Sequence, residues 1–136
     1  MSEDKFAPRI DNVKQEKIGK RPSEYSEWHR TLGSEYLTAD IDFVEYRIDR
    51  GIVALIDVTG EMEDEGHMFN SKKYIWGRTR MQRNILSTMS KALHVPAYFV
   101  LHTKGMTLFH VYDLSDSTET PKLMTREQYT AFVKNL

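Results

Sequence analysis

One short, almost continuously apolar segment, residues 52–58 (IVALIDV), constrains the fold of this chain more than any other part of the sequence. A continuous apolar run of this length is typical of a β-strand that is covered on both faces. The preceding segment, residues 41–48 (IDFVEYRI), alternates in polarity and is rich in aromatic and β-branched residues. Because residues 49–51 (DRG) supply a turn, the two segments predict an antiparallel hairpin with a buried second strand.

Helical periodicity appears on both sides of this hairpin. Residues 23–32 predict a first helix, with Ser23 as its N-cap and an apolar stripe formed by Tyr25, Trp28 and Leu32. Residues 72–93 predict one long helix with an apolar row, which ends before Pro96. A weaker strand is expected before the hairpin, at residues 36–38.

The C-terminal third predicts a second pair of strands and a last helix. Residues 97–102 (AYFVLH) favour a buried strand, and residues 107–114 (TLFHVYDL) favour its antiparallel partner. Thr125 and Gln128 have the spacing of a capping box, which predicts a helix to about residue 134. The element order therefore predicts an α/β fold with a mixed central sheet flanked by helices.

Bulk properties restrict the class of protein. A length of 136 residues with 40% hydrophobic residues suits one domain, which we place at residues 22–136 after an irregular arm at residues 1–21. The absence of cysteine excludes disulfides, a thiolate nucleophile and a cysteine metal site. No apolar run is long enough for a membrane span and the N-terminus lacks a signal-peptide pattern, so a soluble, intracellular (cytoplasmic) protein without a membrane partner is expected.

Charge is unevenly distributed although the net charge is only −1. Residues 61–65 (EMEDE) carry four acids, whereas the predicted long helix begins with a stretch that carries only bases. A local positive field of this kind attracts phosphates, although a solvated helix face is the simpler interpretation. The candidate nucleic-acid-binding residues in this stretch are Lys72, Lys73, Arg78, Arg80 and Arg83.

Asp57 is the residue that most clearly suggests a site. A carboxylate near the end of an apolar strand carries a large desolvation cost unless a cation is near or the side chain faces solvent. The hairpin brings Asp42 to the same end of the sheet, and two carboxylates there could hold a magnesium ion that keeps several waters. Asp40 competes with Asp42 for this role, although a turn residue is the simpler interpretation of Asp40.

The stretch 40–60 (DIDFVEYRIDRGIVALIDVTG) resembles two motifs of the PD-(D/E)XK nuclease superfamily, which includes Holliday-junction resolvases and many restriction endonucleases. Asp42 matches the acid that opens one strand, and Asp57 matches the acid on the next strand. The resemblance covers about residues 23–103. It implies a restriction-endonuclease-like αβββαββα order, a Mg²⁺ or Mn²⁺ cofactor and hydrolysis of DNA phosphodiester bonds.

The same resemblance implies further site residues and reveals one departure. Glu27 (with Glu24 as the alternative) takes the place of the family's helix glutamate, and Gln82 that of a glutamine on the crossover helix. Residue 59 lies on the same sheet face as Asp57, where the family has a lysine, but here it is Thr59. A cation from the basic stretch, Lys72, Lys73 or Arg78, is the expected replacement.

Two functions remain as expectations. The first is a metal-dependent endodeoxyribonuclease in which Asp42, Asp57 and Glu27 bind the metal. The second is a catalytically inactive nucleic-acid-binding module on the same fold, with a protein-interaction domain as a weaker third reading. A domain this small covers little of a duplex, so a homodimer or a larger complex with DNA is expected. A viral or mobile-element origin is an analogy at the level of the fold.

Overall fold

The computed structural model describes residues 23–136, which fall into two compact units, residues 23–38 and residues 39–136. The predicted arm at residues 1–21 lies outside the described residues. In the first unit, helix α1 (Ser23–Arg30) carries the predicted stripe, and the rings of Tyr25 and Trp28 are 5.2 Å apart. The strand predicted at residues 36–38 is wrong. Within residues 23–136 they pair with no strand, and they adopt bend and irregular conformations.

The second unit is built on a mixed, five-stranded open sheet, as the sequence predicts for the fold class. Its strands lie in chain order. The strands β1 and β2 pair antiparallel, β2 and β3 pair parallel, and the two remaining pairs are antiparallel. The bounds are β1 (Phe43–Arg47), β2 (Gly51–Met62), β3 (Ala97–Thr103), β4 (Leu108–Asp113) and β5 (Lys122–Thr125).

The single long helix predicted at residues 72–93 is wrong in two respects, since the crossover consists of α2 (Glu65–Arg78) and α3 (Arg80–Leu93). The chain enters α2 earlier because Oδ1 of Asp64 caps it, accepting from the His67 amide at 2.8 Å. The helix is interrupted at Thr79, whose hydroxyl donates to the Ile75 carbonyl at 2.8 Å. Such a back-bond from a β-branched residue competes with regular helix geometry.

Helices cover both faces of the sheet. On one face, here called the crossover face, α2 and α3 pack on alternate strand residues, including Leu55 and Phe99. On the other face, the last helix α4 (Arg126–Lys134) packs on the intervening residues, including Ile56 and Phe109. The predicted capping box that opens α4 is confirmed, with both reciprocal hydrogen bonds formed between Thr125 and Gln128.

The observed order differs from αβββαββα, because two strands precede the crossover helices and three follow them. The additional strand, β5, has only four residues, and its pairing with β4 defines it. No helix among residues 23–136 is long and apolar enough to cross a membrane.

Candidate functional site

Asp42 and Asp57 meet at one end of the β1–β2 hairpin, where the sequence predicts them. The Asp42 backbone amide donates to Oδ1 of Asp57 at 2.9 Å. In return, the Val58 amide donates to Oδ2 of Asp42, also at 2.9 Å. Both contacts lie just beyond the last backbone pair of the hairpin, Phe43 with Ile56. The two carboxylates therefore lie where the edge strand β1 begins beside the middle of β2, a place here called the rim.

Asp57 is buried, with 4% of its surface exposed, and lies on the crossover face two residues after Leu55. Burial raises the pKa of its carboxyl group, and the negative charges of Asp42 and Asp40 raise it further. Hydrogen bonds from the Asp42 amide and the Gln82 side chain act in the opposite direction. The groups of the described chain that set this pKa include no cationic side chain, so a bound cation would stabilise the ionised form.

Gln82 connects α3 to the aspartate pair. Its side chain donates through Nε2 to the Asp40 carbonyl oxygen and lies close enough to Asp57 to lower the pKa of that carboxyl group. The first turn of α3 is thereby held against the rim that carries the carboxylates. The structure brings Gln82 to the site that the resemblance implies, while its chemical role stays a prediction.

The other two residues implied by the resemblance are placed differently. Thr59 lies two residues after Asp57 on β2, half-buried and paired with Leu101. Its side chain supplies a hydroxyl group and no charge. Glu27 is exposed on α1 of the first unit, and its proposed role as a metal ligand stays a prediction.

The donor atoms at the rim suit a hard divalent cation. Carboxylate oxygens are the ligands that Mg²⁺ prefers, and Mg²⁺ is often held by one or two carboxylates while it keeps several waters. Residues 23–136 contain no group of three or more histidine, aspartate or glutamate side chains that could enclose a metal ion. Asp42 and Asp57 therefore offer two carboxylate groups to a cation, and a metal bound by them stays a prediction.

The five basic residues predicted to bind nucleic acid separate into two groups. Lys72 and Arg83 lie at Trp76, with the Lys72 ammonium 5.2 Å and the Arg83 guanidinium 4.4 Å from ring centroids of that indole. The Lys72 ammonium also donates to the Glu119 carbonyl at 2.8 Å. The remaining three are exposed on α2 and α3: Lys73, Arg78 and Arg80.

Sequence reasoning missed the cluster around Trp76. Trp76 contacts Tyr112 and Phe99 in the core, with ring centroids 4.6 Å and 5.3 Å away. The available signal was helical spacing, because Lys72 and Arg83 stand four residues before and seven residues after Trp76 and so share its face. Tyr112 lies on β4, so its place in this cluster comes from contacts between distant parts of the chain.

A second missed feature is a buried histidine on β4. His110 has 0% exposure, lies 3.5 Å from Oε2 of Glu65 through Nε2, and has its ring 4.6 Å from that of Phe69. Burial lowers the pKa of His110, and the interaction with Glu65 opposes this shift only in part. His110 is therefore an internal titratable group away from the aspartate pair.

No protein-family model, curated protein or solved structure matches this chain. The fold and the site define an α/β protein with a paired-aspartate rim on a mixed sheet. Any functional assignment therefore depends on the residues of the site itself.

Proposed function

We propose that this chain is a Mg²⁺- or Mn²⁺-dependent nuclease that hydrolyses DNA phosphodiester bonds, with a restriction-endonuclease-like PD-(D/E)XK core. The observation that carries the proposal is the buried Asp57 carboxylate, which lies beside Asp42 and Gln82 where β1 begins. A buried carboxylate beside two other acids is unfavourable by itself and is stabilised when a cation binds.

In this proposal, Asp42 and Asp57 hold the metal. A divalent metal bound there supplies a Lewis acid that lowers the pKa of a water and offsets phosphate charge. Gln82 orients the Asp57 carboxylate through its hydrogen bond. Thr59 presents a hydroxyl on the same sheet face, where it could hydrogen-bond to a water or to a phosphate oxygen.

A second candidate function is DNA binding without cleavage. It is favoured by the uncharged Thr59 and by the lack of a cationic side chain among the described groups that act on Asp57. In this case the exposed basic side chains of Lys73, Arg78 and Arg80 would contact phosphates, and the affinity for DNA would fall steeply as the salt concentration rises. Both candidates include assembly as a homodimer or with a larger partner, which sedimentation of the purified chain can check.

Calorimetric titration with Mg²⁺ and Mn²⁺ tests the metal site. The Asp57→Asn and Asp42→Asn variants are suitable because an amide oxygen can still accept the backbone hydrogen bond, while the charge is lost. We expect both variants to lose most of the binding seen in the wild-type chain. Asp49→Asn is the matched control, because Asp49 is an exposed turn residue that contacts only Arg50 among the described ion pairs.

Nicking of supercoiled plasmid and of branched DNA tests the activity. Metal-dependent nicking that disappears in Asp57→Asn and persists in Asp49→Asn supports the nuclease. A gel shift that persists with chelator and in Asp57→Asn, but is lost on neutralising Lys73, Arg78 and Arg80, identifies the binding module instead. If the chain neither nicks nor shifts DNA, both proposals are wrong.

A further inference from the structure

The crossover face carries a second polar feature away from the aspartate pair, a pocket with a volume of about 200 Å³. It lies where α2 and α3 meet β4 and the β4–β5 connection at residues 114–121. Its walls include Trp76 from α2, Arg83 and Asn84 from α3, Tyr112 from β4 and Glu119 from the connection.

Two of these lining residues each carry a polar atom that has no hydrogen-bond partner within the described part of the chain. They are the Trp76 indole nitrogen and the Tyr112 hydroxyl, and both are buried. Tyr112 is only 1% exposed, and burial raises its pKa to about 12, so its hydroxyl remains protonated. Since buried polar groups are nearly always paired, two unpaired donors on one pocket indicate a ligand that brings hydrogen-bond acceptors.

The end of β4 and the β4–β5 connection add acceptors to the lining, namely Asp113, Asp116 and Glu119. Asp113 and Asp116 accept hydrogen bonds within their own loop, from Ser115 at 2.9 and 2.7 Å and from Thr118 at 2.9 and 2.7 Å. Glu119 has a different setting, because its charge raises the pKa values of Tyr112 and, against the effect of burial, of Arg83. Glu119 also lines the pocket, so its carboxylate can accept from a ligand there.

The backbone of Glu119 is held in place. Its φ of 56° lies in the left-handed region, its amide donates to the Asp116 carbonyl at 3.2 Å, and its carbonyl accepts from Lys72 at 2.8 Å. A residue without glycine's freedom keeps such a conformation only when its surroundings hold it there. The backbone at Glu119 is thus fixed relative to α2, which carries both Lys72 and Trp76.

The combination of unpaired donors and acidic acceptors in one lining discriminates among ligand classes. A phosphate would satisfy Trp76 and Tyr112 but would meet three acidic residues, Asp113, Asp116 and Glu119. A simple cation would suit those acids but would leave the Trp76 N–H without an acceptor. A neutral, flat heterocycle with carbonyl or ring-nitrogen acceptors and N–H donors can pair with both the unpaired donors and the acidic acceptors.

The pocket is also in register with the aspartate pair. Asp57 pairs with Phe99 on β3, and Phe99 pairs with Tyr112 on β4, so the three residues form one row across the sheet. Two strand spacings separate Asp57 from Tyr112 by about 10 Å. At the start of α3, consecutive residues reach the two places, since Gln82 contacts Asp57 and Arg83 lines the pocket.

We propose that this pocket receives one unpaired nucleobase of a nucleic-acid strand whose phosphate lies at the aspartate pair. The base accepts hydrogen bonds from Trp76 and Tyr112 and donates to Glu119. The placement of the phosphate at the aspartate pair rests on the proposed function, whereas the recognition of a base by the pocket does not. Enzymes that read single bases use pockets of this kind, with hydrogen bonds to the polar edge of a base outside the stack.

The test uses the indole N–H resonance of Trp76 in nitrogen-edited proton NMR. The chain has two tryptophans, so Trp28→Phe leaves one indole signal. Adenosine, guanosine, cytidine and thymidine are titrated without metal, so that no phosphate takes part. We expect at least one nucleoside to shift the signal downfield with a dissociation constant on the order of 1 mM, typical of a small neutral ligand.

Two variants locate the binding. Glu119→Gln keeps the shape of the side chain but removes its charge, and we expect about tenfold weaker nucleoside binding. Tyr112→Phe removes a buried unpaired hydroxyl, so we expect weaker binding together with an unchanged or higher free energy of unfolding without ligand. Glu127→Gln, on the exposed first turn of α4, is the matched control and retains wild-type binding.

The outcomes are separable from those of the nuclease test. The inference is wrong if no nucleoside saturates the signal, if inorganic phosphate or ribose alone produces the same saturating shift, or if Glu119→Gln binds like the wild-type chain. Nucleoside binding that persists in Asp57→Asn supports it, because the pocket needs neither metal nor Asp57. Loss of nicking with intact nucleoside binding contradicts only the proposed function.

Discussion

The Asp42 amide donates a 2.9 Å hydrogen bond to the Asp57 carboxylate, so a side-chain oxygen takes the place that a backbone carbonyl holds in the rest of the hairpin ladder. The 2.9 Å contact from the Val58 amide to Asp42 does the same in the other direction. Each aspartate is therefore a local structural group as well as a candidate ligand. Experiments at this rim must separate the loss of an acceptor from the loss of a charge.

Substituting Asp57 in two ways makes this separation. Asp57→Ala leaves the Asp42 amide without its acceptor, and we expect a loss of about 1 to 3 kcal/mol in the free energy of unfolding. Asp57→Asn keeps an acceptor and removes a buried charge, so we expect stability at pH 7 equal to or above that of the wild-type chain. Urea denaturation measures both. Equal losses in the two variants would show that the hydrogen bond is unimportant.

The raised pKa of Asp57 predicts the sign of a pH effect. Between the unfolded value of 3.8 and the higher folded value, the folded state binds more protons than the unfolded state. The contribution of Asp57 to the free energy of unfolding therefore decreases as pH rises through this window. The difference in stability between the wild-type chain and Asp57→Asn, measured from pH 3.5 upward in steps of about half a unit, isolates this contribution. A constant difference across the window contradicts the prediction.

His110 predicts a pH effect of the opposite sign. Its folded pKa lies below the unfolded value of 6.5 because burial disfavours the charged ring. The unfolded state therefore binds more protons between the two values, and stability is lost as pH falls below 6.5. We expect His110→Phe to remove this loss while it keeps the ring packed on Phe69. Denaturation at pH 5 and pH 7.5 checks the prediction, and an equal loss in both proteins contradicts it.

Gly60 on β2 lies directly against the imidazole of His102 on β3. A Cβ added to residue 60 would overlap the far end of that ring, which also packs against Phe109 at 5.8 Å. We expect Gly60→Ala to cost roughly 1 kcal/mol, at the low end for overpacking because the half-buried ring can turn. The double variant Gly60→Ala/His102→Ala tests the cause. If it shows the same cost relative to His102→Ala alone, the clash with the ring is excluded.

Local signals account for the parts of the fold that were predicted correctly. The turn at residues 49–51 is such a signal, since Gly51 has a φ of 81° in the structure. The Thr125–Gln128 capping box is another, because its hydrogen bonds join residues three positions apart. From these, the hairpin and the last helix followed, and with the hairpin came the meeting of Asp42 and Asp57.

The errors concern features that depend on competition or on distant partners. The periodicity of residues 72–93 is helical throughout, but the Thr79 hydroxyl bonds to the Ile75 carbonyl and the helix divides. Strand β5 is too short to be recognised without β4 beside it, and residues 36–38 pair with no strand in the described part of the chain. Whether such a short segment becomes a strand depends on pairing with a neighbouring strand, and no single position in the sequence encodes that pairing.

What the amino-acid order determined by itself was a buried hairpin with two acids at one end, because alternation, turn chemistry and burial act over a few residues. Tertiary structure alone decided that Asp57, Phe99 and Tyr112 would form one row and that Trp76 would share a pocket with Glu119. Along the chain, Phe99 lies 42 positions after Asp57 and 13 before Tyr112, and Glu119 lies 43 positions after Trp76. Packing of α2, α3 and the β4–β5 connection on the sheet brings them together, and sequence periodicity carries no record of such long-range contacts.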